Sequence, residues 1–218
     1  MRFDPHDEWQ PAQIYPELFR ATGLERAVAK RQREFVAGRY CAREAMRRLA
    51  IADAEAPVAI GAHREPRWPA GVVGTISHTN DRAVAAVARA RDARGLGLDL
   101  ERWIDEATFA EVRDSITKAD ELEDLVAQTR WSSREALTLA FSAKETIYKC
   151  LFAEVGRYFD FLDARIEEAD VRAGAFRASL VVSLSDGLPA GTRLAGRFVR
   201  DDSGVTTAML RAHDGSSP

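Results

Sequence analysis

The order of secondary-structure signals along this chain occurs twice, and that repetition limits the fold more than any single motif. From about Leu24 to Ala50, residues Phe35, Gly38, Ala42, Ala45, Met46 and Leu49 recur at helical spacing. Three strand-like segments follow, Val72 to Ser77, Ala83 to Ala88 and Leu96 to Glu101. A second helix is predicted from about Ser132 to Phe152, with Ser132 or Ser133 as its cap and Glu135 near the first turn. Strands are predicted again at Phe161 to Ile166, Ala178 to Leu184, Arg193 to Val199 and Val205 to Leu210, with Asp201-Asp-Ser-Gly204 turning the last pair into a hairpin. A long helix with about three strands, met twice, predicts an α+β fold of two similar halves joined near residues 100 to 130.

The remaining stretches read as connections. The first twenty residues, with Pro5, Pro11 and Pro16, are expected to form an extended arm, and Pro57 to Pro69 a loop whose prolines exclude a helix interior. Ile104 to Ala127 is acidic and expected to be helical in part, while the last five residues should fray. With 218 residues and 46% apolar content, the chain can bury a sizeable core.

Formal charge is −3, which argues against a general nucleic-acid binder, but the charge is unevenly placed. Residues 20 to 48 carry nine Lys/Arg against three Glu, and residues 99 to 125 carry ten Asp/Glu against three Lys/Arg. That asymmetry predicts a basic surface for an anion and a separate acidic region. No leader of the signal-peptide type and no apolar run of membrane-spanning length is evident, so a cytosolic address is expected. Cys41 and Cys150 lack metal or redox spacing and read as packing residues.

Two short segments carry the chemistry. In Gly95-Leu-Gly-Leu-Asp-Leu-Glu101 the leucines alternate with Gly97, Asp99 and Glu101, so both carboxylates project from one strand face. In Phe141-Ser-Ala-Lys-Glu-Thr-Ile-Tyr-Lys149, Glu145 and Lys149 are four apart and share a helix face. Three carboxylates and a lysine suit a magnesium site that handles phosphate, because a hard cation takes oxygen ligands and a lysine can meet developing phosphate charge. Lys144 and Lys149 are two of only four lysines. Each half also has an ordinary reading, as exposed strand residues or a helix salt bridge. Other motifs carry less: Gly95-Leu-Gly97 lacks the third glycine and the helix of a dinucleotide loop. Ser77 and His78, adjacent on a strand, face opposite ways and cannot act as nucleophile and base, although a pair at a strand end can contact phosphate. The four histidines are too dispersed for zinc.

Arg31 to Leu49 (RQREFVAGRYCAREAMRRL), Arg64 to Pro69 (REPRWP), Gly74 to Thr79 (GTISHT), Gly97 to Glu101 (GLDLE) and Phe141 to Lys149 (FSAKETIYK) together resemble the phosphopantetheinyl transferases of the Sfp/EntD type, and the five blocks stand in the family's order. The resemblance implies a monomer of two pseudo-two-fold-related subdomains, residues 1–103 and 104–218, with coenzyme A and Mg²⁺ held between them. It also implies that the 4′-phosphopantetheine arm of coenzyme A passes to a serine of an apo acyl, peptidyl or aryl carrier protein, with release of 3′,5′-ADP. Asp99, Glu101 and Glu145 would be the magnesium ligands. Arg31, Arg39, Arg64, Ser77 and His78 would meet coenzyme A phosphates, with Lys144 and Lys149 beside the pyrophosphate. Glu145 would take the serine proton and Lys149 would assist the leaving phosphate. One departure stands out: relatives often carry a lysine just before the glycine of the loop that meets the adenine nucleotide, and here Ile60 precedes Gly61. Two other classes remain open, a noncatalytic coenzyme A binding module and a metal-dependent nuclease. The first needs the arginines without the acidic trio, and the second usually sets carboxylate and lysine two apart on one strand.

Overall fold

The computed structural model describes residues 1–2 and 24–213 and divides the chain into two compact units. One is formed by the chain up to Leu96 together with the residues from Ala212 onward, and the other by Gly97–Arg211. Apart from Met1 and Arg2, the arm expected over the first twenty residues, like the frayed end, lies outside the described residues.

In the first unit, α1 (Ala29–Arg48) packs on a hairpin of β3 (Val72–His78) and β4 (Ala83–Arg89), while β1 (Ala59–Ile60) and β2 (Pro66–Arg67) form a small antiparallel pair inside the expected loop. Of the stripe read from the spacing, Phe35, Gly38, Ala42 and Met46 are buried, with Val36 beside them, while Ala45 and Leu49 are half-buried. Gly38 lets helix and sheet approach closely, since a Cβ there would stand 2.8 Å from Cγ2 of Ile76.

The second unit is built on α4 (Ser133–Val155), preceded by α2 (Glu106–Ile116) and α3 (Ala119–Thr129) and set against a five-stranded sheet. The strands are β5 (Gly95–Arg102), β6 (Ala164–Asp170), β7 (Ala175–Leu180), β8 (Arg193–Asp201) and β9 (Gly204–Arg211), in the order β5-β9-β8-β7-β6. Ser132 and Glu135 form a reciprocal capping box at the start of α4, and Gly156, at φ 66°, ends it. Leu137, Leu139, Ile147 and Leu151 of α4 are buried with Ile166, Phe176, Leu180 and Phe198 of the sheet.

The α+β class holds, with helices packed on antiparallel sheets. Local details differ from the sequence expectations. β5, read as the third strand of the first half, lies beside β9, so among the described residues the first unit's main sheet has two strands. β6 starts at Ala164 because Phe161–Asp163 form a 3₁₀ turn capped by Asp160. β7 stops at Leu180: beyond it Val181 and Val182 are exposed, and Leu184 bonds to Leu188 in a turn. No helix among the described residues is long and apolar enough to cross a membrane.

Candidate active site

The acidic segment of β5 and the Glu/Lys face of α4 meet within the second unit. Gly97 lies directly beneath the helix, where a Cβ would stand 1.9 Å from the backbone oxygen of Thr146. That close crossing brings the next residue on the same face, Asp99, to Lys149, whose Nζ donates to Asp99 Oδ1 at 2.6 Å. Lys149 Nζ also stands 3.8 Å from Glu145 Oε2, the pair expected from four-residue spacing. Asp99 is only 1% exposed, so its charge needs a cation nearby, and Lys149 supplies it.

The other two carboxylates are less well matched. Burial pushes the Glu101 carboxyl up to about 8, with the Asp99 and Glu145 charges adding and Lys149 opposing. Burial also raises Glu145, where Lys149 opposes and Asp99 adds. The Lys149 ammonium thus opposes both shifts, while the neighbouring carboxylates add to them. Among the described residues, no three His, Cys, Asp or Glu side chains are gathered as a ready-made metal cage. The donor set nevertheless suits a hard divalent cation, being three carboxylates of which two would ionise more readily beside added positive charge.

Beside Glu145 opens a cleft of about 120 Å³ walled by Tyr148, Tyr158, Phe159, Asp160 and Phe161. Tyr148 packs its ring 5.8 Å from Tyr158 and 5.1 Å from Phe159. Tyr158 remains 66% exposed at the surface.

Lys144, expected beside a pyrophosphate, turns its ammonium to partners within the fold. Its side chain is 1% exposed, and its ammonium donates to the Ile116 carbonyl at 2.8 Å and to Glu121 Oε2 at 2.9 Å. Burial holds its pKa below the usual lysine range, with Glu121 opposing. Residues 144, 145 and 149 cannot all share one face at 100° per residue, and the structure turns Lys144 inward while Glu145 and Lys149 face β5.

In the first unit, Arg31 and His78 come together, with Arg31 Nη1 at 3.4 Å from His78 Nε2. Glu34 lies beside both, 3.8 Å from Arg31 and 3.7 Å from His78. Arg39 does not share that exposed face. Eight residues of helix return about 80° out of phase, and Arg39 is buried, donating from Nε to the Val58 carbonyl at 2.7 Å beneath the Phe35 ring. Ser77 is buried in β3, and its neighbour His78 is partly exposed, as strand alternation requires. Arg64 is exposed in a turn with left-handed backbone, φ 67°, that closes on Gly61. The Glu65 carboxylate fills the space where a Gly61 side chain would stand.

Sequence reasoning passed over Glu34 and Glu121, and it named Gly97 without the close helix crossing that Gly97 permits. Glu121 carried a readable signal, because it falls with Leu125 and Thr129 on the buried stripe of α3, where an unpaired carboxylate would not be stable. Glu34 lies one residue from the apolar stripe of α1, and nothing in its spacing marks it.

Residues 19–88 match the family model of the 4′-phosphopantetheinyl transferase N-terminal domain, and residues 95–191 match that of the 4′-phosphopantetheinyl transferase superfamily. The chain is 35% identical over 214 residues to 4′-phosphopantetheinyl transferase Npt of Nocardia iowensis, spanning 91% of this chain and 92% of that protein. It is 32% identical to 4′-phosphopantetheinyl transferase PptT of Mycobacterium tuberculosis, across 92% of this chain and 88% of that protein. Enterobactin synthase component D of Salmonella typhimurium is 33% identical, across 89% and 80%.

Proposed function

Because the chain belongs to the 4′-phosphopantetheinyl transferase superfamily, we propose a division of labour among its own residues for the transfer that this family performs, of the phosphopantetheine arm of coenzyme A to a carrier-protein serine. The observation that carries the proposal is the 2.6 Å Lys149–Asp99 contact, set against two further carboxylates held above their usual range. Asp99, Glu101 and Glu145 would hold Mg²⁺, which when bound offsets charge on the pyrophosphate. Arg31, His78 and Arg64 would receive the coenzyme A phosphates, and Arg39 and Ser77 would shape the ground beneath them.

The carrier serine Oγ attacks the β-phosphorus of coenzyme A. The bond from that phosphorus to the bridging oxygen breaks, and 3′,5′-ADP departs. Glu145 takes the serine proton: burial raises its proton affinity above that of an ordinary glutamate, with Lys149 opposing and Asp99 adding. Lys149 turns its ammonium to the charge that develops on the leaving phosphate. The protein acts as a monomer on its carrier. Since several relatives are named for enterobactin synthase, carriers of siderophore and secondary-metabolite assembly are the first candidates.

The test is transfer to an apo carrier, read as the gain of a phosphopantetheine arm by intact mass. Asp99→Asn keeps the shape of the buried side chain and removes its charge, so transfer should fall at least about 100-fold, as for loss of a principal electrostatic contributor. Chelation should silence the unmutated protein. Normal transfer by Asp99→Asn at limiting magnesium would sink the three-carboxylate site, and failure of the unmutated protein on every carrier would favour a binding module.

A further inference from the structure

Four elements of the second unit converge on one buried ion pair. Glu121, in the first turn of α3, accepts the Ile166 backbone N–H of β6 on Oε1 at 2.8 Å and the Lys144 ammonium of α4 on Oε2 at 2.9 Å. Lys144 in turn holds the Ile116 carbonyl at the end of α2 at 2.8 Å. The two side chains are 1% and 3% exposed. Lys144 immediately precedes Glu145, and both line the cleft together with Ala164 and Asp160.

We infer that Glu121 is a positioning residue for the transfer reaction: it keeps the Lys144 ammonium inside the fold, so that Glu145 next to it remains available to the Asp99–Glu101 cluster. The inference rests on the reading of that cluster as the metal site. Two consequences follow from burial and charge. Lys144 is an internal anchor and does not touch coenzyme A, because both contacts shown for its ammonium are internal and its side chain is almost wholly enclosed. Without the Glu121 charge, a buried ammonium has to find another anion, and Glu145 and Asp160 share its cleft. An ammonium drawn to Glu145 competes with any cation held there.

Three variants separate this from a plain structural role: Glu121→Gln, Lys144→Met and the double variant Glu121→Gln/Lys144→Met. For each, Mn²⁺ affinity is measured by the loss of the free-ion electron paramagnetic resonance signal, coenzyme A affinity by calorimetry, and transfer as a function of magnesium. Glu121→Gln should weaken Mn²⁺ binding about tenfold, leave coenzyme A affinity within about twofold, and recover much of its rate at high magnesium. Adding Lys144→Met to it should restore Mn²⁺ affinity, because the displaced ammonium is then gone; removal of a phosphate ligand could not restore anything. Lys144→Met alone should keep coenzyme A affinity within about twofold.

Unchanged Mn²⁺ affinity in Glu121→Gln, or no restoration in the double variant, overturns the positioning role. A tenfold loss of coenzyme A affinity in the double variant overturns the anchor role and returns Lys144 to the phosphates. Where a single variant fails to fold, the double variant, free of this buried ion pair, gives the deciding coenzyme A measurement. If the unmutated protein binds no Mn²⁺, the metal reading itself has failed, and the coenzyme A comparison still decides whether Lys144 is an anchor.

Discussion

A Cβ on Gly97 would lie 1.9 Å from a backbone oxygen of α4, which no side-chain adjustment can relieve. Gly97→Ala must therefore push the helix off β5 at Thr146, beside Glu145 and one turn from Lys149. We expect about 2–3 kcal/mol of lost stability, the upper part of the range for overpacking, together with loss of transfer, read by calorimetric unfolding and single-turnover assay. A variant with unchanged melting temperature and rate would show that the close crossing does not set the site. At this scale the sequence was legible wherever spacing alone decides direction: Asp99 with Glu101 on one strand face, Glu145 with Lys149 on one helix face. It gave no sign that Arg39 and Lys144 are buried, because a charged residue type does not announce burial when its partners, the Val58 carbonyl and Glu121, stand 19 and 23 residues away.

The elements were legible to the extent that local chemistry closes them. Helix α4 begins where its cap was expected, with Ser132 Oγ accepting from the Glu135 N–H while the Glu135 carboxylate accepts from the Ser132 N–H. Ser132→Ala should cost about 1 kcal/mol, a typical N-cap loss, and lower Tm by about 2–4 °C for a chain of this size, with the rate of transfer unmoved because the cap lies three turns from Glu145. A shift of less than half a degree would mean that α4 is held by its packing alone. Strand ends were less legible. The turn at Phe161–Asp163 and the exposed Val181 and Val182 carry strand-like residues yet lie outside the strands, since β-propensity reports a fit to a half-buried surface that only neighbouring strands create.

For the molecule as a whole, the crowded carboxylates predict how stability follows pH. Glu101 ionises near pH 8 in the folded chain, against about 4.3 for an ordinary glutamate, and Glu145 is shifted the same way. Across that window the folded state binds more protons than the unfolded one, so this contribution is fully present below pH 4 and is lost as pH rises to 8. The metal-free protein should melt at a lower temperature at pH 8 than at pH 5.5, and millimolar Mg²⁺ should raise Tm at pH 8 far more than at pH 5.5. Equal effects of magnesium at both pH values would place the cation elsewhere. By itself the sequence determined what depends on near neighbours along the chain: the α+β class, the long helices, the strand that carries Asp99 and Glu101, and the ordered blocks by which the family is recognised. Tertiary structure alone decided what depends on residues far apart: that β5 joins β9, that Lys149 answers Asp99 fifty residues away, and that Lys144 turns inward to Glu121. Periodicity assigns a side chain to a face, but burial and charge pairing arise only when distant faces close on one another.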